Sequence, residues 1–271
     1  MKIAAQILLT IFFVVLFLVG LISGTFKFGL LNYNFWEAAF QKHNVYQNLA
    51  NAGKNSFESQ IDKEGGNRSD VKILTDLITP ENVKDVVDRN LRNFLNFTNG
   101  LSTQIIVYLP IDKIPNNFLP KNIIGLKSEM TISDLLTKFN FQDWQTLPFQ
   151  NLFNMGRYVF WFFVGAVFLF LFVLISLILL IEKGKRFISL GIAFILSGSL
   201  TFFLADTVTN LADAFSKGLV DSSSAAPIFL GVIFSPVVAE IVSVWRILGL
   251  VMLMLGFGLF FVKKPTYNNP K

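Results

Sequence analysis

Cysteine is absent from the 271 residues, and histidine occurs once, at His43. Without cysteine there is no disulfide framework, no thiolate nucleophile and no thiolate metal site. A single histidine excludes a His pair, so a zinc site would have to be built from carboxylates. Charge is scarce as well: Asp, Glu, Lys and Arg make up 15% of the chain, against about 25% in soluble domains. Apolar residues fill the gap, at 53% of the total with a mean hydropathy of +0.56. That composition excludes intrinsic disorder, which needs low hydrophobicity and high net charge. The apolar residues also lie in runs too long and too clean for a globular core, which excludes a soluble protein.

A hydrocarbon layer about 30 Å thick needs roughly 20 apolar residues as helix. Residues 3–24 form the first such run, with Gln6, Thr10 and Ser23 its only polar side chains. The run exceeds the usual apolar core of a signal peptide and no A-x-A-like site follows, so a retained anchor is expected rather than a cleaved leader. Residues 158–181 form the second span and residues 187–204 a shorter third one dotted with small residues. The fourth, residues 241–262, ends against Lys263 and Lys264 of a tail spanning 263–271. Between the third and fourth, residues 205–240 read as an amphipathic loop outside the cytoplasm. Helical periodicity continues past the third span to Leu219, and a short apolar stretch over 228–239, broken by Pro236, suits an interfacial segment.

Short flanks rich in Lys and Arg stay in the cytoplasm. Lys2, the loop 182–186 (EKGKR) and the tail all carry such residues, and four spans bring all three to one side. Both termini are then cytoplasmic in a multi-pass plasma-membrane protein, and residues 25–157 form an extracytoplasmic domain. Its 14 basic and 13 acidic residues nearly cancel, so no nucleic-acid partner is expected, since that needs clustered cations.

Within the domain, residues 36–61 read as one helix with Trp36, Phe40, Val45 or Tyr46, and Leu49 on a face. Thr79-Pro80-Glu81 is the clearest local signal. Threonine supplies a cap oxygen, proline fits the first helical position, and glutamate complements the positive helix end. Val83, Val86, Val87, Leu91, Phe94 and Leu95 follow at helical spacing, and Gly100 is the stop. Residues 103–109 (TQIIVYL) read as a strand, for which residues 122–127 or a second copy of the chain are candidate partners. Residues 131–139 read as a short amphipathic helix. The expected fold is therefore mostly α, a polytopic protein with four transmembrane helices and an α plus short β outer domain.

Few residues point to chemistry. Asp85 and Asp88 share a helix face, but Lys84, Arg89 and Arg92 surround them, so a salt-bridged surface outweighs a cation site. His43 has no acidic sequence neighbour, and the N-x-S/T triplets at Asn67 and Asn96 matter only in a eukaryotic secretory setting. Asp112 has no partner that sequence identifies. No ionisable residue falls in the middle of a span, where pumps and proton-coupled transporters need one. Arg246 lies near the outer boundary, where it either snorkels or pairs with Glu240 or Asp206. Gly20 and Gly24 form a GxxxG, while Gly191 and Gly198, and Gly249 and Gly256, repeat at seven. Such spacing lets helices approach closely in lipid. Trp144 and Trp161 are candidate depth anchors.

One span, a large outer domain and three more spans resemble the plan of permease subunits in macrolide-exporter-class ABC systems. The five-residue loop 182–186 departs from that plan, being too short for a coupling helix. TPENVKDVVDRNLRNFLNFTNG followed by TQIIVYLPIDKI resembles uncharacterised bacterial four-span membrane proteins with a large domain between spans one and two. That likeness implies a bacterial origin and no activity. No cofactor, metal or catalytic residue is expected, and the chain reads as a non-enzymatic envelope protein. Its partners are membrane lipids and, through the outer domain, a second copy or another envelope protein. The alternative is a transport or lipid-handling protein whose passage would run near Ser197, Ser199 and Thr201.

Overall fold

The computed structural model describes residues 2–64, 75–114, 126–139, 149–182, 185–220 and 225–262. The elements are α1 (Lys2–Gly24), α2 (Tyr33–Lys42), α3 (Val45–Glu64), α4 (Pro80–Thr98), β1 (Ile106–Tyr108), β2 (Glu129–Thr131), α5 (Ile132–Lys138), α6 (Met155–Leu180), α7 (Arg186–Val220) and α8 (Ala225–Phe260). Four stretches are long and apolar enough to cross a membrane: Ile3–Leu30, Met155–Leu180, Arg186–Ala214 and Gly231–Phe260. By length and composition the chain is a multi-pass membrane protein.

Two compact units result. One comprises Met1–Lys27, Val159–Ala212 and Val238–Lys271; the other comprises Phe28–Tyr158 and Asp213–Val237. In the first unit all four spans contribute to one apolar cluster. Phe13 and Val14 of α1 meet Val173 and Leu177 of α6, Leu190 and Ala193 of α7, and Met252 of α8. A second cluster gathers Leu21, Ala205, Val242 and Trp245. The α7 and α8 windows bury about twice the share of residues that those of α1 and α6 do, so the later pair is central.

Several boundaries differ from the sequence expectations. The first span does not stop at Gly24; one wider helical stretch, Thr25–Leu30, continues it. The helix of the third span continues past 204, as its periodicity predicts, and α7 runs 35 residues to Val220. Residues 228–239 are not a separate interfacial piece. They belong to the 36-residue α8, with Pro236 inside it. A proline removes one intrahelical hydrogen bond, and the turns on either side keep the helix continuous. The reading of residues 205–240 as a loop is replaced by helix over most of that range.

In the second unit, α2 packs on α3 and α4, α3 packs on α4, and α4 packs on β1. The single helix expected over 36–61 is two helices. Asn44 adopts a left-handed φ of 52°, which asparagine tolerates better than most residues, and the chain turns between α2 and α3. Asn32, which sequence reasoning did not single out, caps α2 by accepting a hydrogen bond from the Asn34 N–H at 3.0 Å. Thr79 caps α4 through the Asn82 N–H at 3.2 Å, with Pro80 at the first helical position. Of the expected face, Leu95 is buried but Phe94 is exposed, and Phe97 and Thr98 turn inward beside Leu95.

The partner of β1 is β2, antiparallel, with Ile106 opposite Thr131, Val107 opposite Met130 and Tyr108 opposite Glu129. It is not residues 122–127, of which 122–125 lie outside the described residues. Thr131 then caps α5, its hydroxyl accepting from the Asp134 N–H at 3.1 Å.

Candidate functional site

The richest set of polar contacts lies on α4, so the site is built outward from that helix. Asp88 sits low on its inner face. One carboxylate oxygen accepts from the Tyr46 hydroxyl at 2.6 Å and the other from the Lys84 ammonium at 2.6 Å. Lys84 also reaches Glu37 of α2 at 3.1 Å and lies 4.9 Å from the centre of the Tyr46 ring. Burial opposes the charge on Lys84, yet hydrogen bonds to Asp88 and Glu37 outweigh it and hold its pKa above the usual lysine value. Burial and the Asp88 carboxylate together push Tyr46 well above an ordinary tyrosine. Arg92 stacks on Tyr33 at 3.9 Å. The Tyr33 hydroxyl itself is buried and, among the described residues, meets no partner at hydrogen-bonding geometry; its pKa is raised, chiefly by burial.

Asp85 belongs to a second network. It accepts from Lys113 at 3.0 Å and from Arg89 at 2.7 Å. Those two hydrogen bonds, Lys113 first, hold its carboxyl below the usual range. The sign follows directly: a depressed carboxyl stabilises the fold above the unfolded pKa of about 3.9 and loses that contribution as pH falls through the lower folded value. The melting temperature should therefore decline as pH drops below about 4. Asp85→Asn should flatten that decline, and an unchanged acid profile in the variant would remove Asp85 as its cause.

Asp85 and Asp88 therefore share a helix but not a site, since each faces its own cations. Among the described residues no three His, Asp or Glu side chains come together as metal ligands. Asp112 accepts from the Ser128 hydroxyl at 2.8 Å. His43 ends α2 as its C-terminal cap. Asn67 and Trp144 lie outside the described residues, and Trp161 is largely exposed.

Two asparagines of α4 do something that composition does not suggest. Asn90 donates to the Tyr108 carbonyl at 2.9 Å and accepts from the Tyr108 N–H at 2.8 Å. Asn93 donates to the Ile106 carbonyl at 2.9 Å. These are the backbone groups that β1 turns away from β2. The helix thus seals the second edge of the strand with side-chain amides, and the pairing of β1 with another copy loses its template.

The C-terminal end of α4 holds two distant stretches of this unit together. The Asn99 amide donates to the Leu31 carbonyl at 3.0 Å and to the Leu95 carbonyl at 2.9 Å. A Cβ on Gly156 would lie 2.2 Å from the Asn99 side-chain oxygen, and one on Gly100 would press on Asn154. Gly100 is also at φ +74°, a conformation glycine adopts without penalty. The chain leaving α1 and the chain leading to α6 are thus gripped by one helix end.

In the membrane unit the structure brings some of the predicted residues together. Gly191 lies against Gly256 and Gly198 against Gly249. A Cβ on Gly191 would come within 2.9 Å of the Gly256 carbonyl oxygen, and one on Gly198 within 2.7 Å of that of Gly249. Gly24 meets the Phe163 ring, but Gly20 has nothing within 4 Å, so its GxxxG is half used. The Arg246 guanidinium donates to Asp206 at 2.9 Å, joining α7 and α8. Glu240 lies six residues earlier on the same helix as Arg246. The neighbouring Trp245, which sequence reasoning did not select, donates its indole N–H to the Thr25 hydroxyl at 2.7 Å. Ser197 and Thr201 are fully buried.

Mostly helical, with four helices able to cross a membrane, the chain falls in the class of multi-pass membrane proteins. No protein-family model, curated protein or solved structure is significantly similar to it.

Proposed function

We propose that the chain is a non-enzymatic integral membrane protein of a cell envelope. In this reading the domain between the first and second spans lies outside the cytoplasm and binds a second copy of the chain or another envelope protein. The cationic flanks at Lys2, in the loop 182–186 and at Lys263 and Lys264 support that orientation through the positive-inside tendency. The observation that carries the reading is the α4 face. Lys84, Asp85, Asp88, Arg89 and Arg92 are engaged by one another or by neighbouring elements. Charges used in this way build a firm binding platform and leave no acid–base pair free for chemistry. Beside them Leu101 is 78% exposed, and Phe94 and Ile106 also leave apolar surface uncovered. Of the three hydroxyls near which a passage would run, Ser197 and Thr201 are packed inside the bundle and Ser199 is exposed, so they give a passage no support.

The mass of the detergent-purified protein, corrected for bound detergent, should show a defined oligomer as protein concentration rises, and Leu101→Glu should weaken it. For a different partner, a photocrosslinker at position 101 should capture one protein in intact cells. A monomer at every concentration, together with no captured protein, would overturn the reading.

A further inference from the structure

We propose that Asn99–Gly100 is a self-modifying site, held silent by the closed end of α4 and converted to an aspartyl or isoaspartyl link once that end opens. Asn99 is the one asparagine in the chain that glycine follows. In such a pair no Cβ shields the backbone nitrogen after the asparagine, so that nitrogen can reach the side-chain carbonyl carbon. The reaction needs no partner but water. The Gly100 nitrogen, giving up its proton to hydroxide, forms a bond to the Asn99 Cγ, and the side-chain nitrogen leaves as ammonia. Water then opens the five-membered imide. Cleavage of the new bond to Cγ leaves aspartate, and cleavage of the original peptide bond leaves an isoaspartyl link through the side chain. No atom is oxidised or reduced.

The folded chain blocks the first step by geometry and by hydrogen bonding. Asn99 has a ψ of 0°, which turns the Gly100 nitrogen away from Cβ, whereas ring closure needs the two eclipsed. The Gly100 N–H donates to the Phe97 carbonyl at 3.0 Å, so its proton is held. The leaving amide donates to the Leu31 carbonyl at 3.0 Å and to the Leu95 carbonyl at 2.9 Å, and Gly156 packs against the oxygen on the same Cγ. All of these are released together when the last turn of α4 unwinds, and a helix end opens more readily than a whole fold. Gly100 and Leu101 are exposed, so water reaches the opened site. Closure is then lost. The product puts carboxylate oxygens where two N–H donors met carbonyls, and a carboxylate only accepts. The isoaspartyl link also adds a methylene to the backbone at the helix cap. Conversion therefore frees Leu31 permanently, and an opening that reverses in the unmodified chain becomes one-way.

The test uses the full chain purified in detergent and incubated at mildly alkaline pH, either folded or unfolded in urea. Peptide mass spectrometry reads the conversion of each asparagine. Asn55, exposed on α3 and followed by Ser56, is the internal reference. In the unfolded chain Asn99 should convert faster than Asn55. In the folded chain Asn99 should slow by at least about tenfold, the protection imposed by the hydrogen bonds that opening must break. Gly156→Ala, whose methyl group would lie 2.2 Å from the Asn99 side-chain oxygen, should raise the Asn99 rate in the folded chain and leave Asn55 unchanged. Asn99→Asp, which copies the aspartyl product, should lower the thermal midpoint, while Asn55→Asp should not. Equal Asn99 rates in the folded and unfolded chains would overturn the proposal, as would an Asn99→Asp midpoint equal to that of the unmodified protein. A simultaneous rise at Asn55 in Gly156→Ala would show global opening and overturn the gate at the end of α4.

Discussion

Gly198→Ala is expected to destabilise the membrane unit by about 1–3 kcal/mol, the usual range for overpacking, while Gly20→Ala should leave it unchanged or slightly firmer. Both are glycines inside membrane helices, and propensity alone favours alanine at each by about 1 kcal/mol. What separates them is the neighbouring surface. At Gly198 a methyl group would stand 2.7 Å from the Gly249 carbonyl oxygen, 2.8 Å from Leu253 Cγ and 3.0 Å from the Leu253 nitrogen. Backbone cannot move aside without parting the helices. At Gly20 the same methyl group meets nothing within 4 Å. Gly191 and Gly256 repeat the contact one heptad away, and Ala205 extends the row by seven more residues at 0% exposure. A seam of small residues lets the two backbones touch, and that contact is what holds helices together when lipid supplies no hydrophobic force. The thermal midpoint of each variant in the same detergent checks this. Equal midpoints for Gly198→Ala and Gly20→Ala would show that the seam carries no stability.

Asn90→Asp should cost about 1–3 kcal/mol, because it leaves a strand carbonyl without its donor. The substitution keeps size and shape but replaces an amide N–H with an acceptor. Two hydrogen bonds disappear, to Val86 and to Tyr108, and a carboxylate oxygen now faces the Tyr108 carbonyl. The bond from the Tyr108 N–H survives, since its acceptor remains. With one of the three sealing hydrogen bonds gone, the edge of β1 becomes more available for pairing, so the variant should also aggregate more readily on warming. Asn93→Asp, which loses one bond at an exposed position, should show the smaller effect. Denaturation followed by circular dichroism ranks the two, and a larger loss for Asn93→Asp would contradict the role given to Asn90.

Legibility varied with the range of the interaction. The α4 start could be read because capping is local: Thr79, Pro80 and the Asn82 N–H lie within four residues. The break after His43 could not, because apolar spacing runs through it and only the left-handed conformation of Asn44 shows the turn. Glu129–Thr131 carries no composition typical of a strand, so β2 is defined by the partner it meets rather than by its own residues. The α4 face was legible as charged and salt-bridged, but not in its detail. Lys113 is 28 residues from Asp85 and Tyr46 is 42 from Asp88, and separations of that size leave no periodic trace. Pro236 misled in the other direction. As a local signal it reads as a break, whereas one lost hydrogen bond in a helix of 36 residues is absorbed.

By itself the sequence determined that the chain is a mostly helical, four-span membrane protein without thiol chemistry. Long apolar runs, missing cysteine and capping residues are properties of single segments, and their energetics need no partner. Tertiary structure decided which glycines touch, which carboxylate takes which cation, and that an asparagine pair closes the strand edge. It also placed Arg246 on Asp206. Each of these depends on where a second element lies in space. Close approach, ion pairing and hydrogen bonding act over a few ångströms, and only the folded chain brings distant residues within that reach.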